Sequence, residues 1–307
     1  MFSATDAALE GFRLARHHPR AIAMWALTAL VFNLAIMAVM IQLSGPAVAE
    51  MAALNRSGAV PDPAQSMAAL GSMAVAYLVI APLTLLFLAV FSGAIYRAAT
   101  RPEQASFGFV RLGADEFRLL VVGLVVGLIG IVVVFAVSFI VAILGGIVGV
   151  AMSGGQPNFG AIAVTVILLY VAMFFVGMAF YVKFSFAGPM TFLSKRIDIF
   201  GSWRATSGRF WPLFGCYTLA VVLGIVVSLL GMAIGMAGMM AFGGTVASLF
   251  SADMSSLAAY FTPGMIAYVA VTSIFTGLTS AIYLGPAMAA YRAIHGAGGA
   301  DVSKTFD

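Results

Sequence analysis

Arginine and aromatic side chains cluster at three places in the chain, each directly before a long apolar run. The clearest copy is Ile199–Phe214, IFGSWRATSGRFWPLF, and weaker copies surround Arg13 and Arg111. Guanidinium groups bind phosphate oxygens, and tryptophan rings lie at the level of lipid headgroups. These segments, called elbows below, therefore predict anchoring at the membrane interface, which sets the topology, with contact to lipid headgroups as a second role. The candidate residues are Arg13, Arg111, Trp203, Arg204, Arg209 and Trp211.

A stripe of hydroxyl groups marks the last apolar run. Its members follow one another at spacings of four, three and four residues, which places them on one face of a helix. Such a face can line a path for a small or amphipathic solute. Hydroxyls in lipid also bond to their own helix or a neighbouring one, and this structural role is the favoured interpretation of the stripe. The stripe consists of Thr272, Thr276, Thr279 and Tyr283.

The composition requires a lipid environment. Of the 307 residues, 63% are hydrophobic and 8% are charged, whereas soluble domains carry about 25% charged residues. The apolar runs reach the roughly 20 residues that cross a bilayer, and they do not alternate in polarity as barrel strands do. We therefore predict an all-α integral membrane protein. Its six transmembrane helices are expected at Ala21–Leu43, Met67–Ile95, Leu119–Met152, Phe159–Val182, Pro212–Phe242 and Gly264–Tyr291.

Residues suited to catalysis are scarce. The predicted spans contain no Asp, Glu, Lys or Arg, so they lack the usual proton or ion relay. Phosphate-binding loops, paired-histidine zinc motifs and nucleophile-elbow sequences are absent from the sequence as well. Asp115, Glu116 and Asp198 lie near arginines and are expected to be solvated counter-charges. We therefore expect no enzymatic activity, no metal or other cofactor and no nucleic-acid partner.

The distribution of basic residues predicts the orientation in the membrane. Lys and Arg in short connections stay on the cytoplasmic side. Fourteen of the fifteen basic residues lie in the terminal segments and in the connections after the second and fourth spans, and the other is Arg56. Both termini are therefore predicted to be cytoplasmic. On the opposite side, short surface helices are expected within Ala47–Leu54 and Thr245–Phe261.

The elbows also indicate an internal repeat. When Phe12, Val110 and Trp203 are aligned, each is followed by an arginine and then by the start of a span. The unit is one elbow plus one helical hairpin, so three parallel copies share one orientation. We therefore predict a single membrane domain over residues 1–307, with repeats at 1–98, 99–197 and 198–295 and a short cytoplasmic tail at 296–307.

The elbows and the Gly-Pro pairs near helix ends resemble a bacterial membrane-domain family. Its members precede glycerophosphodiester phosphodiesterase domains in some proteins and stand alone in others. The residues that carry the resemblance are Trp203-Arg204, Arg209–Leu213, Gly188-Pro189 and Gly285-Pro286. The phosphodiesterase domain itself is not in the sequence, so no catalytic activity follows. The resemblance implies the bacterial inner membrane and a connection to glycerolipids.

These patterns favour a non-enzymatic multi-pass protein that binds or organises membrane lipids, anionic ones in particular, or membrane partners. A permease or facilitator for a small or amphipathic solute is one alternative, and an accessory subunit of a larger membrane complex is another. Glycine pairs four residues apart, such as Gly231 with Gly235, favour close helix packing. That packing occurs either within the bundle or in a homo-oligomer.

The orientation can be tested with a membrane-impermeant maleimide. In a C216A background, which contains no other cysteine, we expect Ser57→Cys to react in intact spheroplasts. Glu103→Cys should react only after permeabilisation, because it lies in a connection rich in basic residues. The reverse labelling pattern would show that the basic connections face outward.

Overall fold

The computed structural model describes residues 3–58, 62–153, 159–250 and 252–296. Within them the chain is built from α-helices and two short 3₁₀ helices, Pro102–Gln104 and Ser106–Phe109. Apart from Gly296, the predicted tail lies outside the described residues. The α-helices are α1 Ala4–Ala8, α2 Glu10–His17, α3 Pro19–Ser57, α4 Pro63–Thr100, α5 Ala114–Ser153, α6 Phe159–Phe184, α7 Ala187–Ser194, α8 Ile199–Ala205, α9 Phe210–Ala241, α10 Val246–Phe250, α11 Leu257–Tyr260 and α12 Pro263–His295.

Six helical segments, in α3, α4, α5, α6 with α7, α9 and α12, are long and apolar enough to cross a membrane. A helix satisfies its own backbone hydrogen bonds, which is the condition for crossing hydrocarbon. The prediction of an all-α multi-pass membrane protein with six transmembrane helices is therefore confirmed.

The helix at the first span is longer than predicted. α3 continues past Leu43 and through Pro46 to Ser57, so the expected surface helix Ala47–Leu54 is its last part. The segment after Pro46 is rich in alanine and other good helix formers, which explains the continuation. The second expected surface segment, Thr245–Phe261, does contain the two short helices α10 and α11.

α12 is the central helix and packs against α9, α3, α2 and α4. Its contact with α9 is antiparallel and depends on glycines. Gly231 faces Phe275, where an added Cβ would lie 2.5 Å from the ring, and Gly235 faces Thr272. The Gly231 and Gly235 pair is thus used for close packing within the chain.

α5 and α6 form a peripheral hairpin. Gly130 of α5 packs against the ring of Phe180 on α6. Much of α5 otherwise points outward, since Phe135 and Phe139 are 70% and 68% exposed. Apolar side chains in such numbers at a surface are expected where the solvent is lipid.

Most of the largest fully buried side chains lie at one end of the bundle, called the basic end after arginines such as Arg97, Arg118 and Arg292. α3, α5 and α9 begin there, whereas α4, α7 and α12 end there. Large side chains are fully buried at this end, and they come from α3, α4, α6–α7 and α9. Examples are Trp25, Phe91, Phe186, Phe192 and Tyr217.

The first elbow is docked against the bundle. α1 and α2 contact α12, and α1 also contacts α9. Ala8, Gly11 and Leu14 are buried in this contact, so the segment has one protein-facing side as well as an exposed one.

The other two elbows differ from the first and from each other. The second contains a 3₁₀ turn in which Phe107, Gly108 and Phe109 have φ of 52°, 62° and 66°, so its aromatic residues do not share an α-helical face. The third contains α8, whose N-terminus is capped by Asp198: its Oδ1 accepts a hydrogen bond from Gly201 N at 2.7 Å. The threefold repeat stays a prediction.

Docking of α2 can be tested at Gly11. A Cβ there would lie 2.5 Å from backbone atoms of Ala281 and Ile282, which cannot rotate away. We expect Gly11→Ala to destabilise the protein by about 1–3 kcal/mol and to accelerate tryptic cleavage after Arg16. Gly215→Ala is the control, since nothing lies within 4 Å of its added Cβ. Equal melting temperatures and cleavage rates for the two variants would contradict the docking.

Candidate functional site

A buried ion pair joins α4 to α5 at the basic end. The guanidinium of Arg97 contacts the carboxylate of Glu116, and both side chains are only 3% exposed. Gly93 makes room for the pair, since a Cβ at that position would collide with the Glu116 carboxylate. Burying either charge alone would cost several kcal/mol, so each requires the other. The expectation that Glu116 is solvated is wrong, because α4 covers it.

The same pair shapes the connection between α4 and α5. Arg97 Nη1 donates a hydrogen bond to the carbonyl oxygen of Phe109 at 2.5 Å. Trp25 Nε1 donates to the neighbouring carbonyl oxygen of Gly108 at 2.8 Å. Residues other than glycine rarely adopt positive φ, and two buried donors here hold the left-handed turn in place.

A cleft of about 360 Å³ lies beside this pair, between the end of α4, the connection and the first turns of α5. It is called the basic cleft, after its charged lining. The charged residues that line it are Arg97, Arg101, Arg111, Arg118, Lys195, Asp115 and Glu116. The five basic and two acidic residues give the lining a net charge of +3.

The two carboxylates of the basic cleft are already engaged. Glu116 pairs with Arg97, and Asp115 is shared by Arg118 at 2.8 Å and Arg101 at 3.7 Å. Arg111 instead donates to neutral partners, Ser106 Oγ at 3.1 Å and Gln104 Oε1 at 3.5 Å. The cleft is therefore suited to an anion. Among the described residues, no group of three or more His, Cys, Asp or Glu side chains is placed to hold a metal ion.

A second cavity, of about 390 Å³, lies between α4, α5, α6 and α12 and is called the apolar cavity. Most of its lining is aliphatic or aromatic, and small residues leave the space open. Lining residues include Leu88, Gly123, Gly127, Phe180, Leu284 and Ala287. Four hydroxyl groups line the part of the cavity nearer the basic end. They belong to Ser92 and Tyr96 of α4, Tyr181 of α6 and Ser185 directly after α6.

The basic cleft and the apolar cavity follow one another along α5. Glu116 lines the cleft, whereas Leu119 and Gly123 line the cavity. These three residues are spaced by three and four positions, so they share one face of the helix. Charge at one end and apolar surface at the other match the polarity of an amphipathic molecule.

The predicted headgroup residues lie in separate surroundings. Arg13 binds within its own elbow, to Glu10 at 3.2 Å and to the carbonyl oxygen of Asp6. Arg111 lines the basic cleft. Arg204 and Arg209, on either side of the α8–α9 turn, are both exposed.

The two predicted tryptophans lie at the surface near α8 and α9. Trp203 is 49% exposed and Trp211 is 75% exposed. The ammonium of Lys183 lies 5.1 Å from the centre of the Trp203 ring, and Trp211 packs against the rings of Phe210 and Phe214. Sequence patterns identified these surface residues, but Glu116 and the basic cleft were missed because they depend on contact between two helices.

The predicted polar stripe lies on α12, with its three threonine hydroxyls bonded within the helix. Thr272 Oγ1 donates to Tyr268 O at 2.8 Å, and Thr276 Oγ1 donates to Thr272 O at 3.0 Å. Thr279 Oγ1 donates to Phe275 O at 2.8 Å. The ring of Tyr283 lies against Gly224 of α9. These contacts favour the structural role, and the solute path stays a prediction.

Comparison of the chain with protein-family models, curated proteins and solved structures gave no match. The resemblance to the phosphodiesterase-associated membrane domains therefore stays a prediction. The class of the protein, an all-α multi-pass membrane protein, follows from the six spans.

The ion pair can be tested by a double-mutant cycle. Glu116→Leu alone leaves the Arg97 charge buried without its partner, and we expect a loss of about 3–5 kcal/mol of stability. Arg97→Met added to Glu116→Leu should recover a large part of that loss, because no buried charge remains. Thermal unfolding in detergent would measure both effects.

The control is Glu10→Gln, which breaks the more exposed pair with Arg13. It should cost less than about 1 kcal/mol. Strictly additive effects of the Arg97 and Glu116 substitutions would contradict a coupled pair.

Proposed function

We propose that this chain is a non-enzymatic protein of the bacterial inner membrane that binds lipid at its basic end, with that end facing the cytoplasm. The observation that carries the proposal is the apolar cavity beside α5, which follows a charged cleft along one face of that helix.

The size and lining of the apolar cavity suit an acyl chain. Its volume of about 390 Å³ lies within the roughly 300–1,000 Å³ that is usual for small-molecule sites. Leu88, Phe180 and Leu284 offer apolar contact, while the hydroxyl of Tyr96 lies toward the basic end. A chain entering from the lipid exchanges one apolar surrounding for another, so its binding depends on van der Waals packing inside the cavity.

The residues around the basic end support a position at the headgroup level. Trp203 and Trp211 are exposed there, and tryptophan concentrates at the membrane interface. Arginine and lysine near a cytoplasmic leaflet are attracted to its anionic lipids by about 1 kcal/mol each. An orientation with the basic end inward therefore satisfies both the topology rule and the electrostatics.

Occupation of the apolar cavity can be tested by filling it. Gly123 lines the cavity, and the nearest side-chain atom to an added Cβ is 3.8 Å away on Leu85, so Gly123→Leu should extend into the space without a backbone clash. We expect native mass spectrometry of the protein in mild detergent to show at least about fivefold less retained lipid, equivalent to about 1 kcal/mol.

Gly146→Leu is the matched control. It makes the same change in α5, at a site where nothing lies within 4 Å of the added Cβ and which does not line the cavity. Equal lipid retention by the two variants and the unmodified protein would refute binding in the cavity.

A further inference from the structure

We propose that the basic cleft binds a phosphate group, and that the headgroup of the lipid held in the apolar cavity is its natural source. The inference rests on the proposed function and adds the chemistry of the headgroup. An uncharged lipid without a phosphate would fit the cavity equally well, so a preference for a phospholipid has to come from the cleft.

The first argument is the charge that the cleft leaves uncompensated. Its lining carries a net charge of +3, and both carboxylates already serve arginines. Arg111 has neutral hydrogen-bond partners, and Lys195 enters the same cleft from the end of α7. Like charges brought together in a concave site repel one another, and a bound anion removes that repulsion.

The second argument is the type and direction of the donors. Arg101 comes from the end of α4, Arg111 from the connection and Arg118 from the second turn of α5, so guanidinium groups line the cleft from three segments. A guanidinium presents several N–H donors in one plane, which matches the oxygens of a phosphate group. Basic residues that only set the orientation in the membrane do not need to line one common cleft.

The start of α5 adds further donors. Phe117 N bonds to Gly113 O at 3.0 Å, so the amides of Ala114 to Glu116 precede the first hydrogen bond of the helix. These amides and the helix dipole favour negative charge at this end. They support the charged lining and do not define the site by themselves.

The third argument is the placement of the cleft and the apolar cavity along the same helix. Glu116 and Gly123 lie seven residues apart on one face of α5, a separation of about 10 Å along the helix. A phospholipid with its phosphate in the cleft can therefore extend its chain toward Gly123 and the centre of the membrane. A soluble phosphate compound would use the cleft alone.

The test compares two lipids that differ only in the headgroup. Purified protein in neutral detergent is titrated with phosphatidylglycerol and with diacylglycerol of the same chains, which lacks the phosphate, and binding is followed by native mass spectrometry. We expect phosphatidylglycerol to bind at least about tenfold more tightly. The double variant Arg111→Gln/Lys195→Gln should lose most of that preference.

The matched control is Arg16→Gln/Arg20→Gln, which removes two exposed charges from residues that do not line the cleft. It should keep the preference within about twofold, since exposed charges at a distance are screened by salt. Melting temperatures identify any variant that is misfolded; in that case the single variant Lys195→Gln replaces the double variant. An unchanged preference in the cleft variant, or equal losses in cleft and control variants, would overturn the proposal.

A second set of measurements distinguishes a lipid phosphate from a soluble phosphate compound as the ligand of the cleft. If inorganic phosphate raises the melting temperature of the unmodified protein but not of the cleft variant, and the two lipids bind alike, the cleft takes a soluble phosphate compound. If Gly123→Leu abolishes lipid retention while the cleft variant changes neither headgroup preference nor the response to phosphate, lipid binding stands and the cleft proposal fails. If no lipid is retained by any form, the proposed function fails, and the phosphate response alone decides the cleft.

Discussion

Two opposite charges with almost no access to solvent fix the arrangement of the basic end. Arg97 and Glu116 lock the end of α4 to the start of α5, and Arg97 also holds the carbonyl of Phe109 in the connection. The pair lies at the boundary between the two cavities: Arg97 and Glu116 line the basic cleft, while Tyr96 and Leu119 line the apolar cavity. A shift of either helix would therefore alter both spaces at once. An apolar pair of similar volume could supply comparable stability, but it would not supply the donor that orients the left-handed turn.

The apolar cavity exists because small residues line it while larger ones hold the surrounding helices in place. α12 is fixed against α9 by contacts such as that of Gly231 with Phe275. α5 packs mainly against α6, α4 and α7, so space remains between it and α12. Gly123, Gly127 and Ala287 face that space and do not fill it. Close packing on one side of α12 thus accompanies open volume on the other.

The architecture was predictable because it depends on properties that are local in sequence. Apolar runs longer than the bilayer and charges confined to their flanks identify the spans without any knowledge of tertiary contacts. The boundaries were less predictable, since nothing near Leu43 marks the extension of α3 to Ser57. A closed barrel of strands was the competing membrane architecture, and the apolar runs argue against it because they do not alternate in polarity.

The site was less predictable because it depends on contacts between helices. Glu116 reads as a surface charge beside Asp115 and Arg118, and only the approach of α4 buries it. Nothing local to Phe107 marks its left-handed turn, because the hydrogen bonds that hold the turn come from Arg97 and Trp25 on other helices. The periodicity on α12 identified a real face of hydroxyls, yet it could not reveal that glycines of α9 pack against it.

The distribution of charge also constrains the depth at which a ligand can bind. The buried pair is internally neutral, so the excess charge comes from the more accessible Arg111 and Lys195 and from the cluster in which Arg101 and Arg118 share Asp115. Attraction of an anion is therefore strongest at the rim and falls off toward Leu119, where the lining becomes apolar. A ligand with charge at both ends would lose solvation on entering the cavity, whereas one with a single charged end would not. The charged cleft and the apolar cavity therefore favour amphipathic molecules, whatever the identity of the headgroup.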